Sequence, residues 1–229
     1  MAYNVTVSGK DYVGVDSVKL PITDNDGVYA TFVDSSVTTE IIEGTLTSLS
    51  NSKAAKVLEA KFKGCTNLTK VELPAVTTMM GSAFMNCPNL TDVSIPLWAP
   101  TTGHGGGHFQ NCTSLKEFTF QNSHVPTACF SGCTAIEKVD VVGKAVGVAT
   151  NSVGASAFVN CSNLKALILR NTSMATLVNV NAFTGSAIAF GTGYIYVPSA
   201  LVDSYKAASN WSTYAAQFRA IEDYPDICG

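Results

Sequence analysis

The stretch Gly81-Ser82-Ala83-Phe84-Met85-Asn86-Cys87-Pro88-Asn89-Leu90-Thr91-Asp92-Val93-Ser94-Ile95-Pro96 decides how the rest of the chain is read. Its frame is Phe-x-x-Cys-x-x-Leu-x-x-Val-x-Ile, and near-copies begin at Phe62, Phe109, Phe130 and Phe158. The spacing of these phenylalanines varies a little from copy to copy, and a degenerate copy follows at Phe183, with Ser186 in the cysteine position. Self-similarity at such a period is the signature of a repeat architecture. Val71 and Leu73 point inward with strand period 2 while Lys70 and Glu72 point outward. Pro74 and Pro96 then stop the strand, and the Ala-Phe-x-x-Cys portion puts an aromatic ring and a thiol on one side of a short helical turn. One copy cannot bury its apolar face, whereas a stack of copies can.

The chain of 229 residues has only 14% charged side chains and a formal net charge of −3. That balance argues against nucleic acid, which needs clustered Lys and Arg. No stretch approaches the length of a membrane span. No signal peptide is visible, because Met1 to Ser8 alternates from the start without a basic region or an apolar block. Seven cysteines leave at least one thiol unpaired. Five of them, Cys65, Cys87, Cys112, Cys133 and Cys161, share one repeat position and read as a ladder of buried thiols, not as a metal site.

The frame Ala-Phe-x-x-Cys-x-x-Leu-x-x-Val-x-Ile-Pro resembles the BspA-type (Treponema-like) leucine-rich repeat. The resemblance covers over half of the chain, and the Ile-Gly that precedes Ala-Phe in that family is kept only partly, as Val153-Gly154 and Met80-Gly81. It implies surface or secreted adhesins and recognition modules of host-associated microbes, and related repeats in phage proteins of gut bacteria. The expected fold is an α/β repeat solenoid. It is a right-handed leucine-rich repeat with a parallel β-sheet, the hand following from the parallel crossover rule. A β-rich N-terminal segment spans residues 1–36, the solenoid residues 37–197, and a helical C-terminal cap and tail residues 198–229. Two helices are expected in that cap, the second carrying Trp211, Tyr214, Phe218 and Ile221. Cys228 is the thiol expected to be exposed.

Two copies are elongated, by residues 97–108 and 143–154, and solenoid insertions map to one edge, often the binding edge. The first holds Trp98, His104 and His108 in a glycine-rich run that reads as a flexible solvated loop. Asp24-Asn25-Asp26-Gly27 reads as a turn and not a calcium loop, which needs more acids and a closing Glu. The outward strand positions run Lys70/Glu72, Asp92/Ser94, Glu117/Thr119, Lys138/Asp140 and Ala166/Ile168. They form a mildly acidic strip that turns apolar at its end. No catalytic constellation, cofactor motif or metal set is present in the sequence. A nucleophilic thiol would have to be Cys129 or Cys228. Asn67, Asn89 and Asn111 open glycosylation tripeptides, yet Asn67 and Asn89, like Asn163, sit where a side chain would satisfy backbone groups at the coil turn.

The expected function is therefore non-enzymatic recognition of a protein or glycan on a cell surface. The ligand would meet Trp98, His104, His108, Glu72, Asp92, Glu117 and Asp140. The location would be extracellular, at the cell surface or in a virion. The alternative is a structural or receptor-binding phage component, held to other virion proteins by residues 1–36.

Overall fold

The computed structural model describes residues 3–7, 10–15, 18–23, 29–32, 46–50, 56–57, 59–143 and 151–229. The Asp24–Gly27 turn and residues 144–150 of the second insertion lie outside them. Four strands come first: β1 (Tyr3–Val7), β2 (Lys10–Val15), β3 (Val18–Thr23) and β4 (Tyr29–Phe32). Then come the main strands of the coils, most of them followed by a two-residue strand. In order these are β5 (Leu46–Ser50), β6 (Lys56–Val57), β7 (Lys70–Glu72), β8 (Thr78–Met79) and β9 (Asp92–Ser94). They continue as β10 (Glu117–Phe120), β11 (His124–Val125), β12 (Lys138–Val141) and β13 (Ser152–Val153). The series ends with β14 (Ala166–Leu169), β15 (Thr176–Leu177) and β16 (Tyr194–Val197).

The main strands pair in parallel, in register with the repeat: Val71 faces Val93, Val139 faces Leu167, and Leu167 faces Ile195. The short strands form a second parallel ladder, β6 with β8 and β11 through β13 to β15. Both ladders begin on antiparallel partners, because β1 pairs with β5 and β3 pairs with β6. Alternation decides which side chains go in. Val71, Leu73, Val139, Val141, Leu167 and Leu169 are all buried.

A third ladder runs along the phenylalanine turns. Each Phe N–H donates to the carbonyl of the next coil, Phe62 to Ala83, Phe84 to His108, Phe109 to Cys129, Phe130 to Ala157 and Phe158 to Ala182, at 2.8–2.9 Å. The residue two places on repeats this at 2.8 Å, from Gly64, Asn86, Asn111, Gly132 and Asn160. Those five positions, with Gly185, take φ between 58° and 80°, which glycine and asparagine tolerate and branched residues do not. The rings follow the backbone. Phe62, Phe84, Phe109, Phe130, Phe158 and Phe183 form one stack with centroids 5.2–5.8 Å apart and planes within 11°. Beside it the thiols of Cys87, Cys112, Cys133 and Cys161 donate to the carbonyls of Phe62, Phe84, Phe109 and Phe130 at 3.0–3.1 Å. Asn89 and Asn163 donate to Thr66 and Thr134 carbonyls one coil back, both at 2.7 Å, which is the backbone role their position suggested.

Both sheet ladders stop at one place. One main sheet ends at β9 and the next begins at β10, while the second ladder ends at β8 and restarts at β11. The segment responsible is residues 97–108. The structure corrects its reading as a solvated loop, because Trp98, Pro100, Gly107 and His108 are buried. The indole of Trp98 lies 4.9 Å from the His108 ring and 5.4–6.0 Å from Phe109, Phe118 and Phe120. The inward positions of β10 are Phe118 and Phe120, where the other coils carry Val, Leu or Ile. That extra ring volume packs with Trp98 at the break, while Ser82, Phe84 and Asn86 still bond to Gly106, His108 and Gln110 along the turn.

After Val197 the chain forms α1 (Val202–Ala207), a 3-10 segment Trp211–Gln217, then β17 (Phe218–Ala220), and last α2 (Pro225–Cys228). The expected second helix is thus cut short. Phe218 is extended (φ −72°, ψ 136°) and pairs with Ile195, so Phe218 reaches the core from a strand. Tyr214 and Trp211 close the phenylalanine stack on Phe183 at 5.0 and 6.0 Å. Tyr205 Oη accepts from the Ala175 N–H and Trp211 Nε1 donates to the Ala175 carbonyl, each at 2.7 Å. Asn210 Nδ2 donates to Leu177 O at 2.9 Å, so side chains take the free edge of β15.

Phe109 touches Phe84, Phe130, Phe118 and Trp98, so truncation leaves a hole in the middle of the stack. Phe109→Ala is expected to lower unfolding free energy by about 3–5 kcal/mol. Phe190→Ala, at a ring 70% exposed, should change it by no more than about 0.5 kcal/mol. Urea titrations of the two variants check the contrast.

Candidate recognition face

The outward positions of the main strands form two rows by register, one on each main sheet: Lys70 beside Asp92 on the first, and on the second Glu117 beside Lys138, Thr119 beside Asp140, then Asp140 beside Ile168 and Ile168 beside Tyr196. Lys70 lies 2.8 Å from Glu72 and 3.8 Å from Asp92. The hydrogen bond from Lys70 to Glu72, then the charge of Glu72, raise the lysine pKa above its ordinary value. Both ends of these pairs are well exposed, so they set the sign of the surface more than they stabilise the fold. Glu117 is exposed and has no ion-pair partner among the described residues.

The second row changes character at β12. Asp140 receives three hydrogen bonds from Arg170, at 2.8–3.1 Å, in a fork largely shielded from solvent. This pairing, foremost its hydrogen bonds, raises the Arg170 pKa. Arg170 also donates to the Cys228 carbonyl, and Lys138 Nζ donates to the Ile227 carbonyl at 2.8 Å. The C-terminal residues therefore lie over the last strands. Ala166, Ile168, Tyr196 and Cys228 form a small second core, with Ile221, Tyr194 and Tyr224 against it. This covers the apolar outward positions Ala166 and Ile168. It also corrects the expectation for Cys228, which is buried (2% exposed) against Ala166, Ile168 and Tyr196.

The sequence-derived site residues separate into three groups. Glu72, Asp92 and Glu117 lie on the accessible part of the two rows. Asp140 belongs to the second row by register, but its carboxylate is committed to Arg170. Trp98 and His108 are core residues, 2% and 0% exposed, so neither presents its ring to a ligand. His104 is half-buried at the end of a 3-10 turn, Thr102–His104. Sequence reasoning missed Arg170 and the tail contacts. Their signal was available, since apolar outward residues on a last coil need a cover.

His108 Nε2 donates to the Met79 carbonyl at 3.2 Å, which leaves Nδ1 a buried acceptor without a partner. Trp98 Nε1 and His104 Nδ1 are likewise buried and unpartnered. Burial pushes the His108 pKa down to about 4, against the smaller opposing effect of the Met79 bond. Burial also lowers His104 and His124, and the latter contacts Ser152 Oγ at 2.9 Å. None of the seven cysteines forms a disulfide, and all seven are buried. Burial is the first cause raising Cys129, Cys133 and Cys228, and it takes Cys161 to about 12. Thiolate nucleophiles at neutral pH are therefore absent from Cys129 and Cys228, the two positions that sequence left open. Among the described residues no group of three His, Cys, Asp or Glu is placed to hold a metal ion.

With this geometry established, the family match is direct. The model of the BspA type leucine rich repeat region matches in six copies, over residues 31–164 and 146–190. The chain belongs to the BspA-type leucine-rich repeat family. Members carry leucine-rich repeats that suit binding of other proteins, and the match indicates no catalytic family. Among solved structures, the chain is similar to a leucine-rich repeat protein from Eubacterium ventriosum, with 23% identity and a TM-score of 0.38. That match covers 62% of this chain and 42% of the other. A leucine-rich repeat protein from Bacteroides ovatus is similar at 12% identity and a TM-score of 0.26, with 66% of each chain covered. The chain thus spans less than half the length of the Eubacterium protein. No curated protein matches it. No helix among the described residues is long and apolar enough to cross a membrane.

Two outcomes follow from the buried groups. Between pH 6.5 and about 4 the unfolded chain binds a proton at His108 that the folded chain refuses. The His108 contribution is then complete above pH 6.5 and is lost as pH falls toward 4, a change of at most about 3 kcal/mol. His108→Gln should flatten that part of the curve, measured by urea unfolding at pH 7.5 and 4.5. In the native state the seven thiols should resist iodoacetamide at pH 7.5 and react together only after denaturation, as counted by mass spectrometry.

Proposed function

We propose that this chain is a non-enzymatic recognition module that binds a protein or glycan on a cell surface through the outward face of its main sheets. The observation that carries this reading is the division of that face. Its apolar end is covered by the chain's own C-terminal residues, and its charged, hydroxyl-bearing end at Lys70, Glu72, Asp92, Ser94, Glu117 and Thr119 is left accessible. A solenoid presents such an extended surface at little cost, because each coil needs only its neighbours for its core. The seven thiols are buried, as are His108 and His124, which supports binding over catalysis.

The same reading assigns roles to the ends. Residues 1–36 act as an N-terminal cap, supported by β1 and β3 joining the first coil on both ladders. This pairing favours capping over attachment to a virion. Residues 198–229 act as the C-terminal cap, supported by Trp211 and Tyr214 against the last ring of the stack. The right-handed sense is supported by the general rule for parallel crossovers. The place of action is extracellular or at a cell surface.

The test uses the full chain on arrays of surface glycans and of extracellular protein domains. We expect a bound ligand whose affinity falls at least tenfold in the double variant Glu72→Lys, Asp92→Lys. Lys63→Glu, on a different part of the coil, should leave it within about twofold. Absence of any ligand, or full affinity in the double variant, overturns the reading.

A further inference from the structure

We infer that the break between β9 and β10 is a docking site for an extended polypeptide segment of a partner protein, one that carries a lysine or arginine flanked by small apolar residues. The inference rests on the recognition role proposed above and names its partner chemistry.

The break leaves a cavity of about 300 Å³ walled by Val93, Ile95, Glu117, Thr119, Lys138 and Asp140. Its walls are strand edges whose pairing is unused. Asp92 N–H and Ser94 C=O bond toward β7, so the main-chain groups of Val93 point the other way, into the gap. On the opposite wall, Lys116 C=O and Phe120 C=O accept from β12 and the turn after it. The alternate residues Glu117 and Thr119 therefore aim their N–H and C=O groups at the gap. No described strand receives either edge. Unpaired edges are templates for another strand, and main-chain bonding to such an edge is a recurrent mode of peptide capture.

Side-chain chemistry selects the occupant. Val93 is only half-buried, unlike Val71 and Val139 at the same repeat position, so an inward-facing small apolar residue would complete its cover. On the outward side Glu117 is exposed and makes no ion pair among the described residues. The one lysine of the cavity wall, Lys138, is tied to the Ile227 carbonyl, and Asp140 is tied to Arg170. A basic side chain on the alternate position of the incoming strand matches this pattern. A sugar does not, because the aromatic rings at the break, Trp98 and Phe118, are buried and offer no stacking face.

The experiment pans a displayed library of random linear heptapeptides on the immobilised full chain and then synthesises the enriched peptides. Expected are sequences with Lys or Arg between small apolar residues. N-methylation of one alternating set of amides should weaken them at least tenfold, and N-methylation of the other set by less than about twofold. Glu117→Lys should weaken binding at least tenfold. Thr119→Pro, which removes an edge N–H, should abolish it. If Thr119→Pro fails to fold by circular dichroism, Glu117→Lys and the N-methyl series decide alone. No enrichment, or binding indifferent to N-methylation or to Glu117→Lys, overturns the inference. The recognition role survives that result if the arrays still yield a ligand sensitive to Glu72 and Asp92.

Discussion

The stack of phenylalanine rings and the backbone bonds beside it are what the rest of the molecule depends on. The sheets are interrupted, the coils differ in length, and the ends are built differently, yet this line runs unbroken from Phe62 to Phe183. It can do so because each turn fixes the next in two ways. A Phe N–H and the N–H two residues on both reach the following coil. The left-handed residue between ring and thiol sends the chain back toward the core. Stacked rings bury large apolar area at a fixed spacing, and the thiols fill the narrower space beside them while satisfying the Phe carbonyls.

Much of this was legible in the sequence, for a physical reason. A packing position repeated in every coil appears as a repeated residue type, so the Phe, Cys and Leu positions, the strand alternation and the family resemblance all follow from one pattern. The Gly or Asn before each Cys carried equal information about the turn, since a positive φ restricts the residue types there.

What the sequence concealed came from single, unrepeated residues. Trp98 and His108 sit in a glycine-rich run whose composition suggests a solvated loop. Their burial depends on Phe118 and Phe120 enlarging one coil, a relation between distant residues that no local pattern displays. The accessible site residues Glu72, Asp92 and Glu117 came from strand alternation and keep their outward placement. The covering of Ala166 and Ile168 was hinted at by their apolar character, but the identity of the cover, with Cys228 as part of it, needed the path of the tail.

The interruption made by Trp98 also changes how the molecule carries load. From β10 to β14 a coil is joined to its neighbour by two sheet ladders and the turn ladder together. Between β9 and β10 neither sheet ladder continues among the described residues, and the coils are joined by the turn ladder and by side-chain bonds such as Cys112 to Phe84 and Asn122 to Pro100. A load along the stacking axis would therefore meet the fewest backbone bonds at this junction, and opening there would widen the side that holds the cavity with the phenylalanine turn as the pivot.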